Sequence, residues 1–423
     1  MMRNARTLLV FSAGIALSTL GALYLAQDNL IFIKPRYSPT TAASTTDAVR
    51  QLYFDGRPGH HATPPLKNRA LLQIPSDPQV AISALWLYAH LYPQIYAGAA
   101  EDEEDSGHTS VSIHSDQTPT EAQRNLRFGY MVTPTLDKAQ AQNSSSDHET
   151  KQPQSFQPCN RLLVFFGGNA MTGLQWLDEV SNHVEYVREK HKSGSKVENE
   201  AYLLIDYPGY GQNGGSPSEN AIIQDSMVYI DRAVEYLTKH ASQPTTQPIQ
   251  ITLFGHSIGA AAALGVANAL ESRQLEATDS KNQAGHSAFE LNKIILSAPF
   301  TTLRETACLF LGLGKLTNYA SPFLGLLLRN TFDNPHNLRT LFEKRRRRNA
   351  QQQQQGTGTT RLEVHIIHGT EDRICPVEMG ETLGSVGQEV ARNDPNLVCT
   401  FTKVYGANHD TVLGYWGTYE SKL

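Results

Sequence analysis

The sequence predicts an α/β fold, a mostly parallel, doubly wound sheet with flanking helices, and three observations predict it. From residue 162 onward, short apolar runs alternate with segments whose apolar residues recur at helical spacing. One run, Ile249 to Phe254, leads straight into Gly255-His256-Ser257-Ile258-Gly259 and then Ala260 to Ala263, in the order strand, sharp turn, close-packed helix. Two later runs end in loops that carry a carboxylate and a histidine, where parallel sheets gather their chemistry.

The first element is an address. Residues 7–26 carry no charge and lie between Arg3 and Arg6 on one side and Lys34 and Arg36 on the other. That length crosses a bilayer as a helix, which predicts a single-pass N-terminal membrane anchor within residues 1–34. A cleaved signal peptide is the alternative, but Tyr24 spoils the small-x-small site that cleavage after Ala26 needs. The flanking charges nearly balance and give no orientation. The last three residues, Ser421-Lys422-Leu423, form a peroxisomal import signal when free in the cytosol, and this sits awkwardly with an anchor.

Residues 35–107 form an N-terminal extension with two apolar stretches, around 51–54 and 80–88; the second is read as a short helix on the domain or against the membrane. An acidic run, Glu101 to Asp105, is a solvated loop. The catalytic domain is expected over 108–420, its first strands at about 110–114 and 126–132. Insertions are expected at about 137–158, 190–199, 271–290 and 343–360. The last contains Lys344 to Arg348 followed by Gln351 to Gln355, a composition that reads as an exposed disordered loop.

Between the insertions the rhythm is regular. Leu162 to Phe166 is a strand, followed by a helix with Leu174, Leu177, Val180, Val184 and Val187 on one face. Tyr202 to Ile205 is the next strand. The box Ser216-Pro217-Ser218-Glu219 opens a helix with Ile223, Met227, Ile230, Val234 and Leu237 facing the core. Lys293 to Ser297, Leu362 to Ile367 and about Phe401 to Tyr405 supply the later strands. Leu309 to Leu328 interrupts the alternation and reads equally as a lid over a pocket or as core helices.

Composition excludes several classes. A net charge of -5 over 423 residues gives no reason to propose nucleic acid as a partner. The 4 cysteines, Cys159, Cys308, Cys375 and Cys399, show no C-x-x-C spacing, so neither a disulfide framework nor a metal site follows. No cofactor is implied.

The elbow makes Ser257 the candidate nucleophile. A serine hydroxyl attacks only when a base takes its proton, and the base needs a third group to fix its tautomer. Asp372, in His368-Gly369-Thr370-Glu371-Asp372 after a strand, is the candidate acid, with Glu371 as the alternative. His409, in Gly406-Ala407-Asn408-His409-Asp410 after the last strand, is the candidate base. Singly, each is as well read as a solvated loop residue; His256, His365 and His368 read as filler or strand residues. Together, in the order serine, acid, histidine, they make a triad. The oxyanion formed on acyl attack needs two backbone donors, for which the amides of Ile258 and Asn169 are the candidates.

With these residues assembled, the chain resembles the α/β-hydrolase superfamily, and within it the membrane-anchored ABHD-type and bud-emergence hydrolases. The resemblance covers roughly 110–415 and rests on Gly168-Asn169-Ala170, Asp206-Tyr207-Pro208-Gly209-Tyr210-Gly211 with Pro217-Ser218-Glu219, and the Gly255 to Gly259 elbow. It also rests on Ser297-Ala298-Pro299-Phe300-Thr301, the Asp372 loop, His409, and the apolar N-terminus running into Gln27 to Ile31. It implies the α/β-hydrolase fold and hydrolysis of a carboxylic ester or thioester, often of a lysophospholipid, a monoacylglycerol or an acylated protein. Two features depart from the family: Gly167 stands where a histidine is usual, and only Asp410 to Leu423, a short final helix, follow the base. A serine peptidase, or a non-catalytic scaffold of the same fold at a membrane, is the alternative.

Overall fold

The computed structural model describes residues 31–34, 80–88, 126–134 and 159–422, apart from 177–178, 181–182, 184–185, 188–199, 212, 240–246, 280–287, 313–324, 326–327, 357, 416–417 and 420–421. Its strands are β1 (Val80–Tyr88), β2 (Leu126–Pro134), β3 (Arg161–Phe166), β4 (Glu200–Ile205), β5 (Ile249–His256), β6 (Phe289–Ser297), β7 (Leu362–Gly369) and β8 (Leu397–Val404). They form one sheet in the order β1-β2-β4-β3-β5-β6-β7-β8. β1 pairs antiparallel with β2, and β2 antiparallel with β4. The remaining six strands are parallel.

Residues 162–166 of β3 and 201–205 of β4 read as unbroken apolar runs because both sheet faces are covered. In β3, Leu162, Val164 and Phe166 join the core on one face while Leu163 and Phe165 join the core on the other. The first face is covered by α1 (Glu219–Lys239), α2 (Ile258–Asp279) and α4 (Asn334–Gln354). On the second face Trp176 packs at 5.4 Å from Phe165 and 5.2 Å from Phe254. Each such side chain contributes about 1.5–3 kcal/mol by leaving water. α3 (Leu303–Phe310) and α5 (Val377–Ala391) complete the described helices of these named elements.

One early sequence expectation changes. Residues 80–88 are a strand rather than a helix, paired along their whole length with β2, so the sheet begins before residue 108. The expected strand at 110–114 lies outside the described residues. Of the expected insertion at 271–290, 271–279 belong to α2 and 289–290 to β6, while 280–287 lie outside the described residues.

The largest correction is at 343–360, where the basic and glutamine-rich stretch lies within and just beyond α4. Asp333 caps the helix, its side chain accepting from the His336 amide at 3.1 Å. Arg, Lys, Glu, Gln and Ala are strong helix formers, so the composition that suggested a disordered loop also favours a helix. The buried face is Leu338, Leu341, Phe342, Arg345, Arg348 and Asn349, a helical period in which guanidinium groups hold positions that apolar residues usually occupy. Arg345 and Arg348 bond the carboxylates of Glu271 on α2 and Glu290 on β6, which compensates their burial.

The predicted anchor at 7–26 and the expected insertions at 137–158 and 190–199 lie outside the described residues, as does most of 309–328. Among the described residues, no helix is long and apolar enough to cross a membrane.

Candidate active site

The site lies at the C-terminal edge of the parallel strands. Ser257 stands between β5 and α2 with φ of 56°, a left-handed conformation that L residues adopt at a cost of about 1–3 kcal/mol. Its amide is held by the Ser297 carbonyl at 2.9 Å. Side chains have no room here. A Cβ on Gly255 would overlap the Gly259 backbone, and one on Gly259 would overlap the carbonyls of Phe166 and Gly167. The two glycines therefore let strand and helix close tightly enough to hold the serine on a sharp turn.

The loops after β7 and β8 are tied together, Thr370 N donating to Val404 O at 3.0 Å and Glu371 N to Ala407 O at 2.9 Å. This pairing sets Asp372 beside His409. His409 Nδ1 lies 2.7 Å from Asp372 Oδ2, and His409 Nε2 lies 2.9 Å from Ser257 Oγ. Glu371, the alternative acid, is exposed, whereas Asp372 is buried. The structure thus brings Ser257, His409 and Asp372 into one hydrogen-bonded chain across 152 and 37 residues of sequence.

Electrostatics fix the proton positions. Burial pushes the Asp372 carboxyl up, but hydrogen bonds from His368 and His409 and the Cys375 amide outweigh it and hold the group well below the usual carboxylate range. Its Oδ1 accepts from the amides of Ile374 at 2.9 Å and Cys375 at 2.8 Å. An ionised carboxylate only accepts, so the His409 proton sits on Nδ1 and Nε2 presents a lone pair to the Ser257 hydroxyl. Beneath it, the His256 ring packs against His409 with centroids 5.0 Å apart. Burial, then the nearby His409 charge, pushes His256 down to about 3, so it stays neutral. Its Nδ1 meets Ser297 Oγ at 3.1 Å, and that hydroxyl meets Tyr419 OH at 2.8 Å.

Cys375 is buried against the serine, and its thiol hydrogen-bonds Ser257. Burial, then the Asp372 charge, pushes this thiol far up and keeps it protonated.

The two proposed oxyanion donors flank the serine. Ile258 is the first residue of α2, where helical N–H groups have no acceptor within the helix. Asn169 belongs to the loop after β3, which lies against the elbow: a Cβ built on Gly168 would stand 3.6 Å from Ser257 Cβ. This loop is held by Tyr207 OH donating to Gly167 O at 2.7 Å and Tyr210 OH donating to Asn169 Oδ1 at 2.9 Å. Ala170 follows with φ of 63°. The Asn169 side chain also donates to Ile31 O at 2.8 Å and accepts from Ile33 N at 2.9 Å.

Sequence reasoning missed two contributors. His368, read as a strand-end residue, donates from Nε2 to Cys375 O at 2.7 Å and reaches Asp372 Oδ2 at 3.2 Å. Its spacing of four residues before Asp372 was the only signal. The tyrosines of the Asp206 to Gly211 turn were recognised as a motif but not as supports of the oxyanion loop.

No family model matches the chain. It is 26% identical to human Protein ABHD12B over 235 residues, covering 55% of this chain and 52% of that protein. It is 34% identical to Protein bem46 of Schizosaccharomyces pombe over 103 residues, 24% of this chain and 26% of that protein. The match to the first relative thus spans about half its length. Among solved structures, the Pyrococcus furiosus esterase Pf2001 aligns with a TM-score of 0.35 at 14% identity, over 70% of this chain and 84% of that one. The sheet order, the elbow at Ser257 and the similarity to ABHD12B and bem46 make the chain a member of the α/β-hydrolase superfamily.

Proposed function

We propose that this chain is a serine hydrolase that cleaves carboxylic esters or thioesters of lipid or acyl-protein type through an acyl-enzyme. The observation that carries the proposal is His409 lying between Ser257 Oγ at 2.9 Å and Asp372 Oδ2 at 2.7 Å. His409 Nε2 takes the hydroxyl proton as Ser257 Oγ bonds to the acyl carbon. The carbonyl oxygen becomes an oxyanion facing the amides of Ile258 and Asn169, and Asp372 stabilises the imidazolium. Collapse breaks the bond to the leaving alcohol or thiol, which receives the proton from His409. Water then attacks the acyl-enzyme with His409 again as base, releasing the acid and restoring Ser257.

Buried neighbours support this reading. His256 is neutral and Cys375 is a thiol, so no second charge competes with Asp372 for the imidazolium. Ser257→Ala should abolish turnover of p-nitrophenyl esters and labelling by a fluorophosphonate probe. Labelling that persists at wild-type rate in Ser257→Ala would discard the assignment. We further propose that residues 7–26 hold this domain at a membrane; release of the full chain by alkaline carbonate would refute that.

A further inference from the structure

The oxyanion loop is braced by a segment far away in sequence. Asn169 Nδ2 donates to Ile31 O at 2.8 Å, and Asn169 Oδ1 accepts from Ile33 N at 2.9 Å, across 138 and 136 residues. One side-chain amide thus pairs with the carbonyl of one residue and the N–H of the residue two further on, as a neighbouring strand would. The same Oδ1 accepts from Tyr210 OH at 2.9 Å and from the Ala170 amide at 3.1 Å. Phe32, between the two bonded residues, is 1% exposed and packs edge-on to Phe332 at 6.3 Å, within the main core. Ile33, by contrast, is 60% exposed, so the segment is seated by one aromatic anchor and two backbone hydrogen bonds.

We infer that Ile31-Phe32-Ile33 is a positioning strap for the oxyanion donor. The inference rests on the hydrolase reading above and adds a residue set to it. The physical argument concerns a peptide plane. The Asn169 N–H can serve a developing oxyanion only if the Gly168–Asn169 peptide is held still. Gly168 and Gly167 give the loop little side-chain packing with which to hold itself. The side chain of Asn169 supplies that restraint by four hydrogen bonds, and two of them come from the strap. Unseating Phe32 leaves the amide with Tyr210 and Ala170 alone, and the loop then acquires freedom just where a displacement of about 1 Å lowers the rate by up to about a hundredfold. The strap bonds the side chain of Asn169 and not the N–H assigned to the oxyanion. Its effect must therefore appear in the transition state and not in ground-state binding.

The test uses the full chain and a matched pair at an exposed position. Ile33→Pro deletes the N–H that Asn169 Oδ1 accepts, whereas Ile33→Ala keeps it. Ile33→Pro should lower kcat for a p-nitrophenyl ester about tenfold or more relative to Ile33→Ala, with KM little changed. Affinity for a trifluoromethyl ketone, whose serine adduct carries the oxyanion, should fall by the same factor. Asn169→Ala, which retains the backbone N–H and removes its brace, should behave like Ile33→Pro. Phe32→Ala, which unseats the strap, should lower kcat in the same way, and Phe32→Leu replaces it if Phe32→Ala does not fold. Hydrogen exchange over residues 167–173 should rise in each strap variant relative to wild type. Equal kcat, inhibitor affinity and exchange in Ile33→Pro and Ile33→Ala would overturn the strap. If the wild-type chain turns over no ester, the hydrolase reading fails separately, and exchange at 167–173 alone then decides: a rise supports the brace and no change overturns it.

Discussion

His368 and His409 converge on a single oxygen: their Nε2 and Nδ1 atoms lie 3.2 Å and 2.7 Å from Asp372 Oδ2. The carboxylate is therefore gripped at Oδ1 by two backbone amides and at Oδ2 by two imidazoles. His368 is wholly buried, and among the described residues Nε2 meets the acceptors Cys375 O and Asp372 Oδ2, which fixes its proton there. Removing it strips a donor from the carboxylate that orients the proposed base and leaves the buried Cys375 carbonyl without that bond. We predict that His368→Ala lowers kcat about tenfold and costs about 1–3 kcal/mol of stability. Steady-state kinetics and denaturant unfolding check the two parts; an inert substitution would mean that the Asp372 amide bonds suffice.

Asp372 also sets a pH dependence of stability. Its folded-state pKa is depressed, and an unfolded aspartate titrates near ~3.9. A group depressed on folding contributes stability that is complete above its unfolded value and disappears as pH falls through the folded one. Wild type should therefore lose part of its advantage over Asp372→Asn below about pH 4. The Tm difference between the two should hold from pH 7 to about pH 5 and shrink as the pH falls from there to about 3. A constant difference would show that the carboxylate is not held in its ionised form by the fold.

Arg345 and Arg348 carry a prediction of stability alone. With Glu271 both side chains are almost wholly buried, and they join α4 to α2 and β6. Breaking such a group at one end leaves an unpaired buried charge, at a cost of about 3–5 kcal/mol. Glu271→Ala or Arg345→Ala should therefore destabilise strongly, while Arg347→Ala, exposed on the same helix, should change stability by less than about 0.5 kcal/mol. Urea midpoints of the three variants decide the matter. Similar midpoints would mean that the arginines are solvated.

The same helix explains what was legible in the sequence. Leu162–Phe166 announced itself because both faces are buried and every residue is apolar, and Ile249–Phe254 because only Gln250 and Thr252 interrupt its apolar run. The elbow was legible because Gly255, Gly259 and the alanines answer a local steric demand. The order of Ser257, Asp372 and His409 was legible because each follows a strand end. What failed to show depends on distant partners. Arg345 looks solvated until Glu271, 74 residues earlier, is placed beside it. Residues 80–88 carry no strict alternation, and their strand is defined by pairing with 126–134. The role of His368 appears only once the position of Asp372 Oδ2 is known, and the strap at 31–33 only once Asn169 is placed.

Gly167 offers the sharpest test of how tightly the oxyanion loop is built. A Cβ there would stand 2.9 Å from Met171 Cβ and 3.3 Å from Met171 O, neither of which is the free end of a flexible side chain. The Gly167 carbonyl is meanwhile fixed by Tyr207 OH at 2.7 Å, so the residue cannot retreat without breaking a buried bond. Related hydrolases commonly carry a histidine at the matching position, yet this loop has closed over the space that a side chain needs. Gly167→Ala should thus lower kcat about tenfold by displacing the Asn169 amide, and Gly167→His should lower it further, with KM nearly constant in both. Met171→Gly should recover part of the loss in Gly167→Ala, since it removes the closer of the two clashing atoms, and a double-mutant cycle measures that coupling. Wild-type kcat in Gly167→His would show that the loop yields to a side chain, and with it that the rigidity assigned to the Asn169 amide is not required for turnover.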